Sequence, residues 1–230
     1  MNETVKESKE LAVEFAVDNC KILLTPSIVQ KYIVGTDSKI TVQEFKFFTE
    51  LCKARQLNPF LKEAYCIKYG NEPAQIVVAK EVFIKRAILH PQYDGKETGV
   101  IVLDKEGKII ERPGCLVLPG EELVGGWARV YRKDRTYPEY MSVAFDEVAG
   151  RKKDGRLNTN WDKKGATMVE KVAKVRALRE AFADELGGMN VEGEPIDAEV
   201  INTTGTDLDE RQNDIKALGK SKGKVTLDEI

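Results

Sequence analysis

The chain has 230 residues, 42% of them hydrophobic and 32% charged, with a formal net charge of −2. That length fits one domain or one domain with an appendage, and the apolar share is enough for a core, which excludes wholesale disorder. No apolar run nears the roughly 18 residues of a membrane span, and the opening MNETVKESKE lacks the basic-then-apolar pattern of a signal peptide.

In chain order, residues 8–23 place Leu11, Phe15 and Ile22 at helical spacing. Thr41-Val42-Gln43-Glu44 reads as a capping box that opens a helix to about Gln56, with Phe45, Phe48 and Cys52 on its buried face. Asn58-Pro59-Phe60 ends it. Ala64–Tyr69 and Gln75–Val78 flank a Gly70–Pro73 turn and predict a hairpin. A short helix with Val82, Ile84, Ala87 and Ile88 follows, closed by His90-Pro91. Strands are expected at Gly99–Leu103, after the Asp104–Lys108 turn, at Cys115–Leu118, at Leu123–Arg132 and at Pro138–Phe145. Gly125-Gly126 marks a bulge or kink. A charged loop runs from Gly150 to Asn160, and a long helix from about Ala166 to Leu186. Successive strands joined by short turns indicate an α+β fold in which a small antiparallel sheet packs with helices. The expected organisation is a core over 1–190, made of N-terminal helices (1–57), a sheet-and-helix region (58–149) and a basic loop with the long helix (150–190). An acidic, mobile tail (191–230) completes it.

The net charge conceals a strong asymmetry. Residues 1–126 carry 17 basic and 18 acidic side chains, residues 127–179 carry 14 and 7, and residues 180–230 carry 5 and 13. A basic segment before an acidic end points to a polyanion site. Catalytic signatures are missing. The single histidine, His90, sits before a proline and reads as a helix-end residue, and no phosphate-binding loop, nucleophile elbow or paired-acid motif is present. Cys20, Cys52, Cys66 and Cys115 have no CxxC pairing and read as reduced thiols in a cytoplasmic protein.

Cations interleaved with aromatics fill the basic segment. Arg132, Lys133 and Arg135 sit at a hairpin tip beside Tyr131, Arg151, Lys152, Lys153 and Arg156 crowd the loop, and Lys163 and Lys164 follow Trp161. Taken together, with few acids among them, they read as a phosphate-tracking surface. Trp161 is either a staple for the loop or a stacking platform for a base. At about 100° per residue, Met168, Val172, Val175, Phe182 and Leu186 share one apolar arc of the long helix, with Leu178 at its edge. Arg179 projects into that arc, Lys171 lies at its margin and Lys174 further round. A charge placed there needs neutralising, by an acid of the core or by a phosphate.

Four blocks carry a family resemblance: Leu57–Tyr65 (LNPFLKEAY), the helix after Val77-Val78, Ala128–Arg135 (ARVYRKDR) with Tyr137-Pro138, and Trp161 through Phe182. Over about residues 40–190 the chain resembles the phage single-strand annealing proteins of the Bet/RecT type. The resemblance implies single-stranded DNA binding, ATP-independent annealing, and assembly into rings or helical filaments that hold the annealing duplex in a basic groove. It also implies a core similar to the eukaryotic Rad52 annealing proteins, a partner phage exonuclease, contact with the host single-strand-binding protein, and a place in the bacterial cytoplasm. No cofactor is implied, and Mg²⁺ enters only as an aid to assembly on DNA. By position, Lys62 and Lys68 match DNA-contacting lysines, Arg132 and Lys133 the basic hairpin, Trp161 the tryptophan before the long helix, and Arg179 the arginine late in it. Lys171 and Lys174 are assigned to DNA by charge and helical position. The alternatives are a passive single-strand coat or adaptor protein and, behind it, a metal-dependent nuclease.

Overall fold

The structure, a computed structural model, describes residues 11–34, 38–68, 70, 72–152 and 154–191. All of them lie in the first of the two units into which the chain divides, Met1–Glu194 and Pro195–Ile230. The acidic stretch beyond Val191 and the loop residue Lys153 lie outside the described residues.

The first described element corrects the expectation of an N-terminal helix. Val13–Val17 (β1) and Cys20–Leu24 (β2) form an antiparallel hairpin. Its turn is Asp18-Asn19, both at positive φ (46° and 64°), the left-handed pair that matches the twist of a two-residue hairpin. Phe15, Val17, Ile22 and Leu24 are buried in alternation, so a period of two won over an apparent helical spacing. Pro26–Ile28 (α1) runs on into a π turn, Val29–Ile33.

Val42–Ala54 (α2) starts as the sequence predicts. The Thr41 side chain accepts from the Glu44 N–H at 3.2 Å, and the Thr41 N–H donates back to the Glu44 carboxylate at 2.7 Å. Phe45, Phe48 and Cys52 are buried along one side. After a 3₁₀ turn at Pro59–Leu61, Ala64–Ile67 (β3) pairs antiparallel with Gln75–Val78 (β4). Val34 bridges β3 and Val191 bridges β4, both in parallel, so this small sheet is flanked by chain from both ends of the core. Lys80–Leu89 (α3) follows, and His90 caps its end, its Nδ1 accepting from the Gln92 N–H at 3.1 Å.

The main sheet is antiparallel with strand order β6-β5-β7-β8, built from Tyr93–Leu103 (β5), Ile109–Pro113 (β6), Glu122–Arg132 (β7) and Glu139–Ala144 (β8). Residues 115–118, expected as a strand, form irregular chain between β6 and β7. The β5–β7 register slips between Ile101 and Val102, opposite Gly125 and Leu123, a bulge where the glycine pair predicted one. Val100, Val102, Ala128, Val130 and Val143 are buried on one face.

That face is covered by the long helix, Thr159–Ala181 (α5). It starts earlier than expected: the Asn158 side chain caps it by accepting from the Asn160 and Trp161 N–H groups at 3.1 Å each. The helix kinks at Lys164 (φ −136°, ψ 32°). Besides the predicted arc, a ridge of small residues, Val169, Ala173, Ala177 and Ala181, is also buried, so α5 is covered on two sides. The ridge lets the helix backbone come down onto β7, where a Cβ at Gly126 would lie 2.7 Å from the Val169 carbonyl oxygen. Phe182 leaves helical geometry, and a short helix, Ala183–Leu186 (α6), ends the fold's last layer. An α+β architecture of small antiparallel sheets and a long C-terminal helix is therefore established.

Candidate nucleic-acid interface

The basic side chains are arranged about α5. A helix of 23 residues at about 1.5 Å each spans roughly 33 Å, and cations gather at both its ends. Near its start, Phe145–Val148 (α4) holds the charged loop: the Arg151 guanidinium pairs with Asp146 at 2.8 Å and donates to the Gly155 carbonyl at 3.1 Å. Lys152, Lys163 and Lys164 are exposed. Lys153, assigned to DNA on sequence, lies outside the described residues.

At the far end, Arg132 closes β7. Its guanidinium donates to the Ala181 carbonyl, pairs with Asp134 at 2.6 Å, and lies 4.9 Å over the Phe182 ring. Cation, ring and helix C-terminus thus reinforce one another. Asp134, on the exposed turn, is held at a pKa of about 2 by its hydrogen bond from Arg132. Lys133 is exposed, its backbone fixed by an N–H bond to the Gln92 carbonyl at 2.8 Å, and Arg135 is 3.3 Å from Glu139. Arg179 is half-buried and donates to the Met189 carbonyl at 2.9 Å, so it pins the chain that follows α6. Arg55 does the same at the Gly187 carbonyl, at 2.7 Å.

Lys62 stands apart from both groups. The Asn58 side chain accepts from the Phe60 N–H, while the Asn58 N–H donates to Glu63, and this closed turn leaves Lys62 in left-handed geometry (φ 60°) and exposed. Phe60 and Leu61 are exposed beside it.

Three residues assigned to DNA on sequence, Lys68, Trp161 and Lys171, are buried. Lys68 is 7% exposed and donates to both oxygens of Glu44 at 2.9 Å. Burial pushes the Glu44 carboxyl up, but hydrogen bonds from the Thr41 N–H, Lys68 and the Ala74 N–H outweigh it and hold the pKa at about 2. This lysine ties α2 to the chain just after β3. Trp161 is 1% exposed and meets the Phe145 ring edge-on at 5.5 Å, so neither face of the indole is open for a base. It is the staple of the two readings. Lys171 is also buried, at 8% exposure, and Lys174 lies 2.7 Å from Glu170.

The outer face of the sheet holds a group the sequence reading missed. The Arg129 guanidinium lies 4.5 Å over the Trp127 ring and 4.9 Å over Tyr140, and pairs at 2.6 Å with Glu111, which also accepts from the Tyr140 hydroxyl. Alternation along Trp127, Arg129 and Tyr131 against Ala128 and Val130 was the available signal, and Trp127 is itself buried, at 3% exposure. The glutamate neutralises the arginine, so this face offers polar and aromatic edges rather than net charge.

Among the described residues, no group of three or more His, Cys, Asp or Glu side chains is placed to hold a metal ion, and no helix is long and apolar enough to cross a membrane. None of the curated proteins compared with the chain matches it. The model of the RecT family matches residues 25–207, well over half of the sequence, and the match takes in α1 through α6, including the charged loop and all of α5. The chain belongs to the RecT family, whose members are single-strand DNA-annealing proteins that make and break no covalent bond.

Proposed function

We propose that the protein holds single-stranded DNA by its backbone along the cations ranged about α5, leaves the bases free to test a second strand, and locks a matched duplex in a groove of an oligomer formed on the DNA. The observation that carries this reading is the distribution of exposed charge: Lys133 and Arg135 at one end of α5, and Arg151, Lys152, Lys163 and Lys164 at the other, with Lys62 on its own turn. Lysine and arginine at phosphates release counterions, so binding is indifferent to sequence and falls steeply with salt. Pairing between the strands then supplies all specificity, and no nucleotide hydrolysis is needed. Oligomerisation multiplies weak contacts, so a short match dissociates and a long one persists. A ring or helical filament serves equally. A phage exonuclease that exposes single strands and the host single-strand-binding protein are the fitting partners, in a bacterial cytoplasm, with Mg²⁺ assisting assembly. The core over 1–190 performs the annealing.

The test is annealing of complementary fluorescent oligonucleotides without ATP, with particle size followed in the same samples. Acceleration accompanied by large DNA-dependent complexes is expected. Lys133→Ala and Lys164→Ala are each expected to weaken binding and to reduce the salt slope by about 0.7, the value for one phosphate contact on a single strand. Tight binding with annealing no faster than the protein-free rate would instead identify a passive coat.

A further inference from the structure

The outer face of the main sheet carries a hollow of about 420 Å³ lined by Glu97, Thr98, Glu111, Pro113, Trp127 and Arg129. That volume falls within the roughly 300–1,000 Å³ of small-molecule sites. Gly99 pairs with Trp127 across β5 and β7 and lets the indole sit close to the sheet, since a Cβ there would lie 2.7 Å from Nε1. Trp127 is 3% exposed, yet its Nε1 has no hydrogen-bond partner among the described residues. A buried N–H without an acceptor costs stability, and one in the wall of a hollow leaves room for a ligand to supply it.

Glu97 faces Arg129 across β5 and β7, so two carboxylates stand in the hollow against one guanidinium. Glu111 is engaged at both oxygens, by Arg129 and by the Tyr140 hydroxyl, whereas the Tyr131 hydroxyl takes one oxygen of Glu97, at 2.9 Å. Each carboxylate oxygen can accept twice, so Glu97 has capacity to spare beside the unmet indole N–H. A phosphate would answer that donor and be repelled by the carboxylates. An ammonium would answer the carboxylates and leave the indole N–H unmet. A nucleobase carries donors and acceptors on one edge, and unpaired bases are read by that edge. Guanine suits the hollow best, because its N1–H and 2-amino group lie side by side next to the O6 acceptor. Exposed Lys133 stands four residues beyond Arg129, about 13 Å along the chain at about 3.3 Å per residue, so a strand held there by a phosphate reaches the hollow within a few nucleotides. We propose that this hollow takes a guanine base of the bound single strand, with N1–H and the 2-amino group on Glu97 and O6 on the Trp127 N–H. The inference rests on the single-strand reading above and deepens it: the phosphate contacts stay blind to sequence, and each subunit adds one contact that reads a base. The edge held is the one cytosine would take, so a complementary strand displaces the base as it pairs and an unmatched one leaves it in place.

Two measurements on the full chain test this. The first compares affinities, at one salt concentration, for oligo-dT and for the same oligonucleotide carrying dG or deoxyinosine at intervals, deoxyinosine being the analogue without the 2-amino group. The dG oligonucleotide is expected to bind about five-fold more tightly than either of the others, the low end for one bidentate base contact. Glu97→Gln, a change at an exposed side chain, is expected to abolish that preference. The second measurement uses Trp161→Phe protein, in which Trp127 is the one tryptophan left. The dG oligonucleotide is expected to quench its emission more than oligo-dT does. Equal affinities, a preference that survives Glu97→Gln, or quenching by free guanosine where the dG oligonucleotide gives none overturns this inference and leaves the annealing reading standing. Failure of the wild type to bind oligo-dT at all removes both.

Discussion

Replacing Lys68 by methionine separates a structural lysine from a DNA-binding one. The change keeps most of the side chain's volume and removes the ammonium that donates twice to Glu44 at 2.9 Å. Breaking one side of a buried ion pair costs about 3–5 kcal/mol when the remaining charge has no other support. Glu44 keeps the Thr41 and Ala74 N–H groups, at 2.7 and 2.9 Å, which lowers the expected loss to about 2–3 kcal/mol. For a domain of this size each kcal/mol moves the melting temperature by about 2–4 °C, so Lys68→Met should melt about 4–12 °C lower. Thermal unfolding followed by circular dichroism reads that shift, and poly-dT binding well below the transition reads the other side. Affinity should stay at the wild-type value, and the double variant Glu44→Gln, Lys68→Met should regain much of the lost stability. An unshifted melting temperature together with a loss of DNA affinity would refute the argument, because Lys68 would then have to leave Glu44 for the strand.

The same network sets an acid limit. Glu44 titrates at about 2 in the folded protein against an ordinary 4.5, so its stabilisation is complete above about pH 4.5 and is lost as pH falls from there through 2. At about 1.4 kcal/mol per pKa unit this amounts to at most about 3 kcal/mol, and denaturant titrations across that range should show a shallower loss in Glu44→Gln. Trp161→Ala removes a buried ring packed on Phe145 and should cost about 3–5 kcal/mol in the same assay. Any loss of DNA affinity should be confined to conditions where the variant unfolds. Gly126→Ala places a methyl 2.7 Å from the Val169 carbonyl oxygen and should destabilise by about 1–3 kcal/mol. A thiol reagent should find the two exposed cysteines, Cys20 and Cys115, in the native protein, because burial lifts Cys52 to about 12 and Cys66 to about 11.

Features that depend on neighbours in sequence were legible. The Thr41–Glu44 capping box, the β3–β4 and β7–β8 hairpins, and the apolar arc of α5 all follow from spacings of a few residues. The β1–β2 hairpin was misread because Leu11, Phe15 and Ile22 also fit a helical period. The decisive signal was Asp18-Asn19 between two alternating runs, and a turn residue pair of that kind outweighs three apolar matches. What the sequence hid was the fate of individual charges. Lys68 finds Glu44 from 24 positions away, Arg132 reaches Ala181 from 49, and Trp161 is buried by Phe145 and by Gly150, where a Cβ would lie 2.9 Å from the indole. Whether a cation faces solvent or a partner is fixed by such distant meetings, and no local period reports them. The kink at Lys164 is of the same kind: it forms where Gly165 passes so close to the Phe145 ring that a Cβ would lie 2.8 Å from it.

The return of the chain beside β4 bears on how the protein is shortened for study. The Val78 N–H donates to the Asn190 carbonyl at 2.8 Å, and Met189 and Val191 are buried where Arg55 and Arg179 fasten the segment. A truncation after Leu186 would strip that cover, leave the outer side of β4 unpaired and expose an apolar strip next to it. An edge in that state recruits strands from other molecules. Aggregates of such a fragment would form by strand addition, without DNA and without the basic residues, and their particle size would imitate assembly while reporting only a frayed sheet. Ending the shortened chain beyond Val191 keeps the edge closed, so that any large particles that remain answer to the oligonucleotide.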